Sequence, residues 1–400
     1  MRIGIIGLGY VGWPLALALS DRNDVTGIDI NDRRLTEIAS VARKERITIA
    51  NDFQELDRRE CQIIIVCVPT DVDQAKQPDL QPLKEVAAAI AEHGEKAWLI
   101  INESTVYPGA TQEIFGPGLR EHQYLGYSPE RIVPGAPKSE LNGAGRTLAN
   151  TFKIVASSNA WARDTMAALY RPITGGLHMC EDMRVAEMAK LLENCQRDLN
   201  IALMNEAAVL ADRMGIRIHQ VLEAAGTKWN FHAYQPGLVG GHCIGVDPYY
   251  LAWAGARLGV RSDLILTGRR VNDQMATHVA QWMVKAQAKS VLILGWAFKE
   301  NCGDYRNTLV ADIRRELLQF GCQVVVYDPL IDQQTADRLD IFTNLDSLRG
   351  HAVDSLLLAV PHDQIMDELV VLRETLTGQP GGRIFDLKNR LPNDPLALRL

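Results

Sequence analysis

The chain has no excess of positive charge: 42 Lys and Arg stand against 49 Asp and Glu, a formal net charge of −7. Nucleic acid needs a basic surface to displace its counterions, so it is excluded as the main partner. A local basic pocket for phosphates is still compatible with this balance. No run of about 18 apolar residues occurs, so no membrane span is expected. The opening MRIGIIGLGYVG lacks the charged n-region, long apolar core and small-residue cleavage site of a secretory signal. The cysteines number seven, an odd count without metal-ligand spacing, and several sit in strand-like runs, such as Cys67 in IIIVCVP. No disulfide framework and no metal site are expected, and the expected location is the reducing cytoplasm. Low-complexity segments and short-period repeats are also missing.

What is present is the composition of a globular protein, 47% apolar and 23% charged, in 400 residues. That length is too great for one ordinary core, so two or three domains are expected. A short apolar strand, 2–6, leads into Gly7-Leu8-Gly9-Tyr10-Val11-Gly12 and a helical run over 13–20. A second strand over 25–28 ends at Asp29, 20 residues beyond Gly9. Alone, GxGxxG is a weak signal; with this strand, helix and acid it reads as a dinucleotide site. The glycines admit a pyrophosphate to the helix N-terminus, and Asp29 would accept from the ribose hydroxyls and repel a 2′-phosphate. NAD is therefore expected over NADP, although Arg33 and Arg34 soften that preference.

Further strands follow in βα alternation. They cover 62–68, ending in Pro69-Thr70; 97–102, ending in Glu103-Ser104-Thr105; and a last one, 124–127, ending in Ser128-Pro129-Glu130-Arg131. Ligands of open α/β sheets bind at such carboxyl ends. A lone Ser or Thr there is more often a cap or turn residue. From 181 to 214 apolar residues recur at helical spacing without Gly or Pro, as one helix or two abutting ones, roughly 50 Å if continuous. Such an element bridges domains or builds an oligomer interface. Lys190 and Asn194 share one of its faces, where a solvated lysine is the plainer reading. A second α/β unit starts at Ser290, with strands over 291–294, 324–327, 355–360 and 383–387 but no GxGxxG. It binds a different nucleotide or serves as a packing domain.

Between these parts lies GLVGGHCIGVDPYYL, 237–251, which looks too irregular for helix or strand. Gly240 and Gly241 free the backbone there, Cys243 follows, and Asp247 lies four residues on. A thiol in a polar glycine loop is placed as a nucleophile. A glycine turn holding an inert thiol fits the same spacing, and spacing leaves both open.

Seven ordered blocks bring in a resemblance that runs the length of the chain. They are GLGYVG at 7–12, PT at 69–70, ESTVYPGAT at 103–111 and GYSPERIVPG at 126–135. AEMAKLLENCQRDLNIALMNE at 186–206, GLVGGHCIGVDPYYL at 237–251 and GWAFKENCGDYRNT at 295–308 complete the set. The chain resembles the nucleotide-sugar 6-dehydrogenases, the UDP-glucose/GDP-mannose dehydrogenase family. KWNF at 228–231 and QRDLNIAL at 196–203 resemble the UDP-N-acetylhexosamine enzymes of Vi-antigen and O-antigen type.

The resemblance implies an α/β fold: two Rossmann-like domains joined by a central helical domain with a long bridging helix. The implied domains are an NAD domain over 1–180, a helical dimerisation and catalytic core over 181–285, and a UDP-sugar domain over 286–400. It implies oxidation of the C6 alcohol of UDP-N-acetylglucosamine or its galacto epimer to a uronic acid in two hydride transfers. Oxidation of UDP-glucose or UDP-N-acetylmannosamine stays open beside it. Cys243 would trap the aldehyde, with the thioester then cleaved by water activated at Glu130 near Thr105. Lys190 and Asn194 would stabilise alkoxide-like charge, and Asp247 would position water or exchange protons.

NAD would be held by Gly7, Gly9, Tyr10, Val11, Gly12, Asp29, Arg34, Pro69, Thr70 and Thr105, with Arg306 reaching across. The sugar nucleotide would meet Glu130, Arg131, Lys190, Asn194, Lys228, Asn230, Gly240 and Lys299. The implied assembly is a homodimer. Two departures stand out: Gln235 replaces an arginine before the Pro-Gly of the central loop, and Gly135 replaces a second acid typical of UDP-glucose enzymes. Two other classes fit part of the chain. An NAD-binding interaction protein needs none of Cys243, Lys190, Asn194, Asp247 and Glu130, and a 3-hydroxyacid dehydrogenase needs no cysteine and no second α/β domain.

Overall fold

The computed structural model describes residues 1–131, 147–241, 243–348, 350–376, 383–394 and 397–399. The chain divides into two compact units. The first comprises Met1–Glu193 and Tyr249–Arg261; the second comprises Asn194–Pro248 and Ser262–Leu400.

The first unit is built on strands β1 (Arg2–Ile6), β2 (Asp24–Ile28), β3 (Thr48–Ala50) and β4 (Ile63–Val66). A short hairpin, β5 (Asp71–Val72) and β6 (Pro78–Asp79), follows. Then come β7 (Leu99–Asn102), β8 (Tyr124–Tyr127), β9 (Phe152–Ser157) and β10 (Gly176–Cys180). Its helices are α1 (Gly12–Ser20), α2 (Asp32–Lys44), α3 (Glu55–Arg58), α4 (Gln81–His93), α5 (Ala110–Phe115) and α6 (Ala160–Tyr170). Eight strands form one sheet in the order β10-β9-β8-β7-β4-β1-β2-β3. All pairs are parallel except β8 with β9. Both faces of β4 are closed to water, which is why IIIV lacks alternation. Strand β1 pairs with β2 on one side and β4 on the other, so the chain reverses direction of build at β1. The crevice beyond that point is where such sheets take nucleotides.

The sequence reading ended this unit's strands at 124–127, and β9 and β10 extend the sheet beyond it. FKIVAS escaped notice because Lys153 interrupts its apolar run. The lysine is 4% exposed, and it is buried by pairing with Glu103.

Helix α7 (Met183–Met214) is a single helix of 32 residues, about 48 Å long. Its six exposed large apolar residues are Val185, Met188, Leu192, Leu203, Leu210 and Met214. At 100° per residue they fall within an arc of about 80°, one continuous stripe. The second unit adds α8 (Ile218–Gly226), α10 (Asp263–Lys285), α11 (Val310–Gln319), α12 (Gln333–Leu339) and α13 (Asp363–Leu376). Helix α9 (Asp247–Arg257) begins inside the stretch expected to be irregular. Pro248 fixes a helical φ without needing an intrahelical donor, and it suits that first turn.

Strands β11 (Ser290–Leu294), β12 (Gln323–Tyr327), β13 (Ser355–Leu358), β14 (Arg383–Asp386) and β15 (Ala397–Arg399) form an all-parallel sheet ordered β12-β11-β13-β14-β15. Strand β15 was not foreseen. Gly268 lets α10 approach α7 closely, since a Cβ there would lie 2.5 Å from the Leu199 side chain. Among the described residues, no helix is long and apolar enough to cross a membrane.

Candidate functional site

The turn after β1 needs each glycine for its own reason. Gly7 has φ +88°, and a Cβ there would sit 2.5 Å from the Cys67 carbonyl oxygen. At Gly12 a Cβ would lie 1.8 Å from the Gly7 oxygen, so α1 can start only with glycine. Gly9 is different: its Cβ would meet nothing within 4 Å. That open space admits a ligand to the backbone at the N-terminus of α1, as a pyrophosphate requires. Asp29, at the end of β2, accepts from the Leu8 N–H at 2.7 Å and the Asn31 N–H at 2.9 Å, which fixes its carboxylate beside the turn. Arg34 donates from Nε to the Leu8 oxygen and pairs with Glu37; Arg33 also pairs with Glu37. Tyr10 and Val11 lie in the turn itself, Tyr10 half exposed. These residues fit NAD.

The ends of β4, β7 and β8 carry Pro69-Thr70, Glu103-Ser104-Thr105 and Ser128-Pro129-Glu130-Arg131. The Ser104 hydroxyl donates to the Val68 oxygen, which ties the first two ends together. Thr105 and Glu130 are half-buried. Arg131 donates its N–H to the Glu130 carboxylate at 2.5 Å and forms an ion pair with Glu193 on α7 at 2.6 Å. Lys190, half-buried on the same helix, donates to the Glu130 carbonyl oxygen at 2.9 Å. Lysine and acid are therefore neighbours in the first unit. Gly135, the departure noted in the sequence, lies outside the described residues.

In the second unit, Gly241 has φ +85° and donates to the Asn307 oxygen. A Cβ at Gly240 would lie 2.4 Å from that oxygen, so the glycine pair lets the loop lie flat on the 295–308 block. Cys243 follows with an exposed side chain. Its carbonyl oxygen accepts from the N–H groups of Val246 and Asp247, which closes the turn that starts α9. Asp247 is buried and accepts from the Asn194 amide at 2.5 Å. Cys195, next to Asn194, makes the contrast: burial, with Asp247 and Asp198 nearby, pushes its thiol up to about 12. Of the two thiols, the reachable one is Cys243.

Leu238, Gly240, Phe298, Lys299, Thr308 and Lys388 line a cleft in the same unit. Lys299 and Gly240 are thus brought together. Lys228 and Asn230 stand exposed after α8, outside that lining. Arg306 makes a two-pronged ion pair with Asp304 at 3.0 and 2.7 Å. Gln235 and His219 line a second cleft of this unit with Lys388 and Arg399, and burial disfavours the charged form of His219.

The turn after β11 does not repeat the first unit's design. Gly295 has φ +90°, but buried Trp296 follows where the first unit keeps its turn open. Asp328, the counterpart of Asp29, accepts from the N–H groups of Trp296, Ala297 and Leu330 and from His362 Nε2 at 3.0 Å. Its oxygens are filled by protein donors, so this sheet holds a ligand differently.

Three buried residues escaped the sequence reading. Glu187 accepts from the N–H groups of Gly109 and Thr111. Lys153 pairs with Glu103, and Asn205 bonds Gly237. For Lys153 a signal existed, a charge inside an apolar strand; the other two sit on a helix whose polar residues look solvated.

Three segments match domains of one family: residues 1–174 its NAD binding domain, 184–274 its central domain and 292–393 its UDP binding domain. The chain is 40% identical to UDP-N-acetyl-D-glucosamine 6-dehydrogenase of Pseudomonas aeruginosa, over 100% of this chain and 99% of that protein. It is 37% identical to the enzyme of the same name from Salmonella typhi, with the same coverage. Among solved structures, UDP-D-ManNAc dehydrogenase of Pyrococcus horikoshii superposes with a TM-score of 0.81 at 27% identity, covering 100% of this chain and 99% of that one. The chain belongs to the UDP-glucose/GDP-mannose dehydrogenase family.

Proposed function

We propose that the protein oxidises C6 of UDP-N-acetylglucosamine, or of its galacto epimer, to the carboxylate. The observation that carries this reading is the exposed thiol of Cys243, fixed one turn ahead of the Asn194–Asp247 pair. The Gly7–Gly12 turn and Asp29 would hold NAD, which would supply the hydride acceptor for each oxidation. Lys190 stabilises the charge that develops on the C6 oxygen, and Asn194 assists. The Cys243 sulfur adds to the aldehyde carbon, and loss of the second hydride leaves a thioester on that sulfur. Glu130, assisted by Thr105, takes a proton from water, which attacks the carbonyl and expels the Cys243 thiolate. Asp247 holds Asn194 and exchanges protons.

Gly7, Gly9, Tyr10, Val11, Gly12, Asp29, Arg34, Pro69, Thr70, Thr105 and Arg306 are assigned to NAD. Arg131, Lys228, Asn230, Gly240 and Lys299 are assigned to the sugar nucleotide. The domains run 1–180, 181–285 and 286–400. The apolar stripe of α7 suits a homodimer, and seven cysteines outside any disulfide suit the cytoplasm.

A panel of UDP-sugars scored by NADH release tests the reading. Two NADH per sugar, with the N-acetylhexosamines ahead of UDP-glucose, is the expected result. UDP-glucose as the best substrate, or one NADH per turnover, overturns it. UDP-N-acetylmannosamine belongs in the panel, because relatives at 28–30% identity carry that name.

A further inference from the structure

Three successive carbonyl oxygens leading to the side chain of Glu130 each accept from a lysine ammonium. Lys153 Nζ lies 3.4 Å from the Ser128 oxygen and 3.4 Å from the Pro129 oxygen. Lys190 Nζ lies 2.9 Å from the Glu130 oxygen. An ammonium has three protons to give, and the third of Lys153 goes to Glu103 at 2.7 Å. Glu103 in turn accepts from the Tyr170 hydroxyl at 2.6 Å, with the ammonium 5.0 Å from the Tyr170 ring centroid. Lys153, Glu103 and Tyr170 are 4%, 2% and 0% exposed. The Ser128 hydroxyl bonds the Ile154 oxygen at 2.6 Å, fastening the end of β8 to β9.

As a device for stability alone this arrangement is a poor one. A buried ion pair gains little over apolar residues of the same volume. Its position gives it another consequence. The last ladder bond after β8 runs from the Ser128 N–H to the Asn102 oxygen at 3.0 Å, and the proline ring sets φ at Pro129, which leaves the ψ angles of Ser128 and Pro129 outside the ladder. A cation directed at both carbonyls does fix them, and with them the direction in which Glu130 leaves the sheet.

We propose that Lys153 is a positioning residue for Glu130, holding the backbone that aims its carboxylate, with Glu103 present to keep the buried ammonium charged and in place. The proposal rests on Glu130 being the base for thioester hydrolysis. Hydrolysis is the last step, so a fault confined to Glu130 has a distinct kinetic signature. Both hydrides have already left when the enzyme stalls, and a rapid burst of two NADH per site precedes a slow steady state.

The test is Lys153→Met combined with Glu103→Gln, which removes both charges and leaves no unpaired ion in the core. The expected result is a full burst of two NADH per site, a kcat lower by about tenfold to a hundredfold, and a KM for the UDP-sugar that falls with it, so that kcat/KM is unchanged. Intact-protein mass spectrometry should show the acyl adduct accumulating on Cys243. Burst amplitude counts folded sites, so partial unfolding lowers the amplitude without imitating the signature. Tyr170→Phe is the control, since it disturbs the same core but leaves Lys153 on its carbonyls; it should lower thermal stability and keep the wild-type steady state. No burst in the double variant, or the same burst in Tyr170→Phe, overturns the proposal. Glu130→Gln separates the two readings. If it traps no adduct, the assignment of Glu130 fails; if it traps one and the double variant does not, only the role of Lys153 fails.

Discussion

The side-chain amide of Asn205 pairs with both backbone groups of Gly237, accepting from its N–H at 2.7 Å and donating to its C=O at 3.0 Å. Asn205 also donates to Asn272, which in turn bonds Asp198, so the start of the Cys243 loop is fastened to α7 and α10 by buried polar groups. Asn205→Ala leaves these groups dry and unpaired. The expected loss is on the order of 2–4 kcal/mol, read as a lower urea midpoint. Asn205→Asp should be worse than a lost bond, because a carboxylate cannot donate to the oxygens of Gly237 and Asn272. An Asn205→Asp variant as stable as wild type would remove the clamp from the account.

The cofactor preference is expected to turn on Asp29. Its carboxylate is held by Leu8 and Asn31 at the edge of the glycine turn, and Arg33 and Arg34 are engaged by Glu37. A 2′-phosphate placed beside that carboxylate is repelled, and the two guanidinium groups at the start of α2 already have an acid of their own. NAD should exceed NADP in kcat/KM by at least about tenfold, and Asp29→Ala should narrow the ratio chiefly by losing NAD. Equal wild-type efficiencies would refute this.

Asp328 sets an acid limit on the second unit. Burial raises its carboxyl, but His362 and the N–H groups of Trp296 and Leu330 outweigh that and hold it below its usual 3.8. A depressed acid contributes stability above its unfolded value and loses it as pH falls through the folded one. The difference in stability between wild type and Asp328→Asn should therefore be full at neutral pH and shrink as the pH falls below about 4. The fluorescence of Trp282 and Trp296 follows this unit. A difference that is constant down to pH 2 would show that the carboxylate is not the source.

The stripe on α7 yields an assembly prediction. Leu192 and Leu203 are 55% and 61% exposed, and charge there should cost the folded chain little. If the proposed homodimer forms through this stripe, Leu192→Glu with Leu203→Glu should shift sedimentation from dimer to monomer with the helix content retained. Unchanged sedimentation would remove the stripe as a contact between copies.

How much of this could be read from the chain depended on distance along it. The Gly7–Gly12 turn and Asp29 were legible because their geometry is local, a strand, a tight turn and an acid within one βαβ unit. Helix α7 was legible from its period. Lys153 and Glu103 are 50 residues apart, and only the sheet shows that one accounts for the burial of the other. Asn205 and Gly237 are 32 apart and meet because a helix residue replaces a strand partner. Strand β9 was hidden by the same lysine. The start of α9 at Asp247 was lost because Gly, Asp and Pro read as loop residues, although Asp and Pro also favour a helix's first turn.

Cys243 and Cys195 give the most direct test of the chemistry, because they differ in access rather than in type. Cys243 is exposed, whereas Cys195 is 2% exposed with its thiol pushed up to about 12 by burial and by Asp247 and Asp198. Only a thiolate alkylates readily, so iodoacetamide should modify Cys243 and spare Cys195 at neutral pH. If Cys243 is the covalent trap, the UDP-sugar should protect it and inactivation should follow its labelling one to one. Cys195→Ser should retain turnover. Cys243→Ser should abolish sustained turnover, because a serine ester is a poorer acyl donor and its hydrolysis stalls. Peptide mapping by mass spectrometry reads the labelled site. Loss of activity that tracks labelling of any other cysteine, or a Cys243→Ser enzyme that releases two NADH per sugar over many turnovers, would remove the thioester from the mechanism.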